Sequence, residues 1–411
     1  MIELLFIQLI FAFCSVILSE LVRDGYHLAG HYWPPLKNFH TLHHKAYRRD
    51  LTITNLDLYQ KAQLYNDVPE SLFMVCATAL AAGFTHSAGM WLGCLYSVMF
   101  LIPAIARSQG LLLQTDLTHK PGNLVEIPTQ WTVNRTYHWR HHFDQGNAYF
   151  CGHFTFVDKM LGTSLSLKGK IVAITGASGT LGQALIEELT LQGAKIVAFT
   201  TTRETNFPPE VEVVYWQLGA ETDLSTRLQK VDIFILNHGV NVYSDRSFSA
   251  IQKSYEVNTF STLKLAELFL ETVKESSHKA LKELWINTSE AEVNPALSPL
   301  YELSKRTLGD LITLRRLDAP CIIRKLVLGP FKSQLNPYGV MSARWVSWAI
   351  IALAKRDFRN IIVTINPITY IAFPLKEFFQ SLYFSFCTSE KQAQEQIAVS
   401  MPKYPNKSGA N

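Results

Sequence analysis

Eleven of the chain's thirteen histidines lie between His27 and His153. His27 and His31 are spaced H-x-x-x-H, and His40, His43 and His44 read H-x-x-H-H. The second pattern returns as His138, His141 and His142. On a helix, residues three and four apart share a face, so each set can present its imidazoles to one ion. Eight histidines exceed the needs of one ion and suit two. Imidazole suits iron, zinc or copper, and the lack of nearby thiolates disfavours a structural zinc site. His86 and His278 stand outside these spacings and read as ordinary residues.

A second reactive set lies further on. Thr175, Gly176, Ser178, Gly179, Thr180, Leu181 and Gly182 form a glycine-rich turn. A buried-type strand (Lys170 to Thr175) precedes it and a helical stretch (Gln183 to Leu191) follows. That context lets the backbone approach a pyrophosphate at a helix amino terminus. Tyr301 and Lys305 are spaced Y-x-x-x-K, with Ser289 twelve residues before the tyrosine.

The elements that must position these residues differ in kind. Ile2 to Val22 is almost wholly apolar and long enough to span a bilayer, which takes about 20 residues. It lacks a basic leader and a cleavage site, and so reads as a retained helix rather than a signal peptide. Pro69 to Arg107 is a second apolar block broken near Thr85–Gly89, long enough for two helices or a re-entrant hairpin. If the hairpin crosses and returns, both histidine groups reach one membrane face. The lysines and arginines flanking them make that face cytoplasmic.

Of the 411 residues, 48% are hydrophobic and 18% charged, against an ordinary charged share of about 25%. This shift points to membrane contact, and the length to two domains. A net charge of +4 is too small to argue for nucleic acid. Six scattered cysteines without a C-x-x-C pair read as reduced thiols in a reducing compartment.

The three histidine spacings resemble the histidine boxes of the membrane fatty acid hydroxylase/sterol desaturase superfamily, as does the segment Asn147 to Thr163. The resemblance covers about residues 1–165. It implies two non-haem iron ions, dioxygen as co-substrate, a lipid substrate and an external ferredoxin- or cytochrome-type electron donor. It adds His119 as a ligand and His153 as a further one. The superfamily usually has about four membrane helices, and three are legible here. Asp24, Asp116, Glu126, Asp144 and Asp158 are candidates to hydrogen-bond the outer imidazole nitrogens.

Residues 166–365 resemble the short-chain dehydrogenase/reductase family, through the glycine turn, Asn237 and Gly239, Asn258, Ser289 and the Tyr301–Lys305 pair. The resemblance implies an α/β Rossmann-type doubly wound parallel sheet binding NAD or NADP. It makes Tyr301 the acid/base, with Lys305 lowering its pKa, Ser289 orienting the substrate oxygen and Asn258 supporting a proton relay. After the second strand (Ala194 to Thr200), the stretch Thr200 to Arg203 holds no carboxylate, and Arg203 stands there instead, which leans toward NADP. The departures are Thr180 in place of a glycine, Gln217-Leu218 in place of an acidic residue, and His238 in place of an alanine; Thr288, thirteen residues before Tyr301, stands beside Ser289 as an alternative hydroxyl.

Tyr338 to Lys355 reads as an amphipathic helix, Asn360 to Thr364 as a strand, and Pro367 to Cys387 as an interfacial helix docking on the bilayer. Residues 366–411 therefore form an apolar membrane-associated segment with a polar tail. The whole reads as an integral membrane protein with both sites facing the cytoplasm. In that protein a di-iron centre hydroxylates or desaturates a lipid, and a dehydrogenase interconverts a carbonyl and an alcohol. The alternatives are an oxygenase with a non-catalytic nucleotide-binding regulatory domain, and an aldehyde-processing enzyme of the wax-synthesis type.

Overall fold

The computed structural model describes residues 1–203 and 206–388; the polar tail read from Ser389 onward lies outside them. The first half is helical: α1 (Ile2–Tyr32), α2 (Pro34–Lys45), α3 (Leu56–Ala62), α4 (Val68–Thr85), α5 (Trp91–Ser108), α6 (Arg135–Phe143) and α7 (Phe156–Leu161). A π-helical turn, Gln63–Asp67, joins α3 to α4. Among the described residues, three helical stretches, Ile2–Tyr32, Leu56–Thr85 and Ala88–Ser108, are long and apolar enough to cross a membrane.

Helix α1 runs ten residues past its apolar stretch, because nothing breaks it before Pro34 and Pro35. It therefore carries His27 and His31 beyond the apolar segment. The α4–α5 turn puts His86 in the left-handed region and is tied to α1, where Gln8 Oε1 accepts from Ser87 Oγ at 2.8 Å and Gly89 N at 2.7 Å. A Cβ at Gly93 would lie 2.5 Å from Ser15 O, so glycine is what lets α5 meet α1 at backbone distance.

The second half is a seven-stranded, all-parallel sheet in the order β3-β2-β1-β4-β5-β6-β7. Its strands are β1 (Ile171–Thr175), β2 (Lys195–Thr200), β3 (Glu212–Tyr215), β4 (Ile233–Leu236), β5 (Glu283–Asn287), β6 (Ile322–Leu328) and β7 (Asn360–Val363). The connecting helices are α8 (Thr180–Leu191), α9 (Ser225–Leu228), α10 (Phe248–Tyr255), α11 (Thr262–Leu270), α12 (His278–Leu281), α13 (Pro299–Arg315), α14 (Ala343–Ala354) and α15 (Thr369–Cys387). Near-continuous apolar strands with both faces covered are what a parallel sheet requires. One core layer packs α8 and α14 on one face, and another packs α11 and α13 on the other.

The helix expected from Tyr338 begins only at Ala343. Ser342 caps it, accepting from Trp345 N at 3.2 Å. Upstream, Gly339 lies so close to the Phe331 backbone that a Cβ would sit 2.0 Å from Phe331 C, which holds 333–341 as a folded-back loop.

The two halves pack directly on each other at the foot of the sheet, the amino-terminal ends of its strands. Lys170 Nζ meets Asp144 at 2.7 Å, Ser164 N donates to Lys355 O at 3.0 Å, and Gln130 Nε2 donates to Asp357 O at 2.9 Å. Trp139 of α6, with Leu51 and Leu124, packs on Ala280 just ahead of β5.

Candidate functional site

Nine histidines converge in the helical half. His27, His31, His40, His44 and His141 form one group, and His43, His119, His138 and His142 a second; within each, the ligand atoms lie within 4.8 Å of one another. The first group is drawn from α1, α2 and α6, and the second from α2, α6 and the loop carrying His119. His44 and His142 rings lie 4.6 Å apart, so the groups adjoin.

The donor set fits metal ions. His40 Nδ1 faces Asn66 Oδ1 at 3.1 Å, His141 Nδ1 faces Ala148 O at 2.8 Å, and His119 Nδ1 faces Asp116 Oδ2 at 2.9 Å. These partners assign the proton to Nδ1 and turn the Nε2 lone pairs inward. There the nitrogens crowd: His40 Nε2 is 2.7 Å from His31 Nε2, and His119 Nε2 is 3.1 Å from both His138 and His142. Inward-facing lone pairs at such distances call for shared cations. Burial, with His43 next, pushes both His40 and His44 down, to about 3 and about 2 respectively, so both rings stand neutral. Burial opposes a charge on His43, yet the Asp67 carboxylate 3.3 Å away raises it.

Two expectations for this site are corrected. His153 is exposed, its ring turned toward Tyr96 and Phe154, and it joins neither group. Of the five acidic candidates only Asp116 backs a histidine. Asp24 accepts from Gly152 N, Glu126 faces Asn134, Asp144 pairs with Lys170, and Asp158 binds Tyr137 and the 150–151 backbone. Asn66 and Asp67 act instead, from the π-helical turn. Their signal in sequence is only a polar Asn-Asp pair ahead of an apolar run.

At the other end of the molecule the glycine turn has the geometry of a phosphate cradle. Gly176 has φ +63°, and a Cβ there would lie 2.9 Å from His238 Cα; a Cβ on Gly182 would lie 2.3 Å from Gly176 O. Gly179 caps α8, whose first turn is Thr180, Leu181 and Gly182. Thr175 Oγ1 accepts from Asn237 N at 2.9 Å and lies 2.8 Å from His238 Nδ1. Burial, with Lys305 next, pushes His238 down to about 3, leaving a neutral ring. Ser178, Thr200 and Thr202 form a hydroxyl cluster beyond β2, with Arg203 exposed beside it. A cleft of about 680 Å³ opens between Thr180 and the loop bearing Lys332, Gln334, Pro337 and Met341.

Tyr301, Lys305, Ser289 and Asn258 come together at the carboxyl ends of β4 and β5. Ser289 Oγ accepts from Ala291 N at 3.1 Å and lies beside the Tyr301 phenol, while the neighbouring Thr288 hydroxyl is buried without a partner among the described residues. Ser289 sits at φ 154°, ψ 157°, a region nearly reserved for glycine, and such strain persists where the surroundings over-determine it. Lys305 Nζ donates to Asn287 O at 2.8 Å, and Asn287 Nδ2 donates to Asn237 Oδ1 at 3.0 Å. Asn258, in a second π-helical turn, accepts from Val240 N at 2.8 Å and donates to Ser304 Oγ at 3.0 Å; Gly239 leaves room for it. Burial raises Tyr301, opposed by the Ser289 bond, and burial lowers Lys305 to about 8.

The two constellations lie at opposite ends of the sheet. Arg140, between His138 and His141, reaches Ala280 O and Glu283 at the foot of β5, whereas Asn287 and Ser289 stand at its head. Six residues of extended chain separate Glu283 from Ser289, roughly 20 Å.

Residues 172–293 match the model of the NAD dependent epimerase/dehydratase family. The short chain dehydrogenase of Burkholderia cenocepacia, solved in complex with NADP, is 18% identical with a TM-score of 0.44, covering 58% of this chain and 100% of its own. That of Leptospira borgpetersenii, with bound NAD+, is 19% identical with a TM-score of 0.42, covering 48% and 91%. The monoglucosyldiacylglycerol epimerase of Synechocystis sp. is 55% identical over 405 residues, covering 92% of this chain and 97% of that protein. At that identity over nearly the full length of both proteins, the chain belongs to the monoglucosyldiacylglycerol epimerase family.

Proposed function

We propose that the chain inverts a secondary alcohol carbon in the sugar headgroup of a glucosyl diacylglycerol lipid, working at the Tyr301 site. The reading is supported by the 55% identical relative and carried by the Ser289–Tyr301–Lys305 constellation at the head of β5. NAD or NADP, held at the glycine turn, would supply reversible hydride chemistry at that carbon. Tyr301 takes the hydroxyl proton, Ser289 holds the oxygen, and a ketone forms on the sugar. The ketone then presents its other face, and the returned hydride and the proton from Tyr301 restore the alcohol with inverted configuration. No net electrons are gained or lost. Thr175, Gly176, Gly179 and Gly182 would hold the pyrophosphate, with Ser178 and Arg203 beside the adenosine ribose.

The experiment is incubation of the purified protein with monoglucosyldiacylglycerol carrying deuterium on its ring carbons, read by NMR of the product headgroup. Inversion at one carbon with retention of its label is expected; a headgroup left unchanged in the presence of NAD and NADP rejects the reading.

A second reading applies to the helical half and is favoured by the two histidine groups. These would hold two iron ions, which with dioxygen supply C–H oxidising chemistry toward a lipid, given electrons from a ferredoxin- or cytochrome-type donor. The chain's own part is to fix four of the nine imidazoles, His40, His43, His119 and His141, from Asn66, Asp67, Asp116 and Ala148. Because epimerisation is redox-neutral and its site lies roughly 20 Å away along β5, it needs neither the donor nor dioxygen. Both sites are read as cytoplasmic. Metal analysis of the purified protein tests this reading; two iron ions per chain are expected, and a metal-free active protein would reject it.

A further inference from the structure

Helix α15 carries a stripe of large apolar side chains on which none of the described residues packs. Ile371, Leu375, Phe378, Phe379, Tyr383 and Phe386 are 52–71% exposed. They fall at intervals of about 3.6 residues and line one side of the helix over most of its 19 residues, or roughly 28 Å. An apolar surface of that length is far outside what a protein surface leaves to water.

The roll of this helix is fixed from behind. Its two charges point into the protein: Lys376 Nζ meets Glu292 and Asp310, both at 2.8 Å, and Glu377 meets Lys325 at 2.7 Å and Arg316 at 2.8 Å. Glu292 and Lys325 are fully buried, and Gly309 leaves the space that Glu292 occupies. Thr369 and Phe373 lie on the same inner face. The stripe cannot turn inward without breaking these ion pairs.

The direction of the helix is equally determined. Its start is tied to the Tyr301 end of the sheet, where Thr369 bonds Glu290 and Asn294 just past Ser289. Its middle reaches the foot, where Arg316 binds Glu377 together with Asn360 and Arg359 O. Arg359 in turn reaches Pro128 O, and Lys159 of α7 binds Arg356 O while its ammonium lies over both Trp131 and Phe358. Exposed Trp131, Phe156 and Met160 continue the apolar surface from there. Through His153 beside Tyr96 it meets α5, a membrane-spanning candidate.

We propose that α15 lies on the bilayer surface, continuing the membrane-facing surface of α5 and α7. It lays the sheet along the membrane and brings its Tyr301 end to headgroup level. Aromatic side chains on one side of a helix whose charges are turned away suit the interface between headgroups and acyl chains. Resting on the glycolipid reading above, this arrangement lets the headgroup enter beside Glu290 while the acyl chains stay in the bilayer.

The test places the photo-crosslinker p-benzoylphenylalanine at Phe379 and, separately, at Phe386, in the full chain reconstituted into phosphatidylglycerol/glycolipid vesicles. Adducts to lipid at both positions, and none from the same probe at exposed Leu191 on α8, are expected. Adducts to a second copy, to residues 389–411, or to nothing would overturn the proposal. A functional arm uses Phe378→Ser/Phe379→Ser/Tyr383→Ser. Conversion of vesicle-embedded lipid should fall at least fivefold, with conversion of the same lipid in detergent micelles unchanged. An equal fall in both overturns the membrane role. If the wild-type chain converts neither, the epimerase reading fails, while the crosslinks still judge the docking.

Discussion

Arg140 and Glu283 join the two halves: the guanidinium Nη2 lies 3.4 Å from the carboxylate, with both side chains almost fully buried. Arg140 sits among the clustered histidines of α6, and Glu283 opens β5. Glu283 also takes a two-pronged ion pair from Arg324, at 2.8 and 2.9 Å, and the Trp285 indole N–H at 3.0 Å. The histidine cluster and the Tyr301 site are thus linked through the sheet foot, yet lie toward opposite ends of β5.

That relationship has a pH signature. Burial alone would raise Glu283, but Arg324 and then Arg140 hold it at about 2, against 4.5 for the free group. The folded protein therefore binds this proton less readily than the unfolded chain. The stabilisation is complete above pH 4.5 and is lost as pH falls through about 2. Glu283→Gln should lower the melting temperature at pH 7, consistent with a cost of about 3–5 kcal/mol for breaking a buried pair, and should flatten the fall between pH 4.5 and 2. A variant that melts like wild type at pH 7 would deny the link its structural role.

Tyr301→Phe keeps the ring and removes the acid/base hydroxyl. Headgroup inversion should drop at least 100-fold, the scale of general acid–base catalysis, with nucleotide binding and metal content unchanged. Retention of a tenth of the wild-type rate would take Tyr301 out of that role.

Asp67→Asn keeps the shape beside His43 while removing the charge. Partners of ligating histidines typically carry 10–100-fold in metal affinity. Loss of metal to a chelator should quicken by that order, with the Tyr301 chemistry unaffected. Unaltered metal retention would show that the Asp67 contact has no bearing on the site.

Arg203→Ala tests cofactor choice. With no carboxylate from Thr200 to Arg203 and the Ser178–Thr200–Thr202 hydroxyls at hand, NADP binding should weaken about tenfold and NAD binding stay put. Equal effects on both would place Arg203 away from the 2′-phosphate.

Local pattern determined a good part of this protein. Helical spacing alone brings His40 beside His44 and His138 beside His142, and apolar runs of sufficient length mark the three candidate spans. Continuous apolar strands alternating with helices dictate a parallel sheet, and a strand, a glycine turn and a helix dictate the cradle. What depends on long-range contact was decided only by the tertiary structure. The division of nine histidines into groups of five and four, with His153 outside, rests on how α1, α2 and α6 cross. Asn66 and Asp67 reach His40 and His43 because a π-helical turn aims them there, and no spacing rule encodes that aim. That Ser289 lies beside Tyr301 depends on an unusual backbone conformation at Ser289. That the two constellations occupy opposite ends of one sheet follows from Arg140 docking at Glu283, a contact between residues 143 positions apart. Sequence periodicity reports which side chains share a face, but not which faces meet.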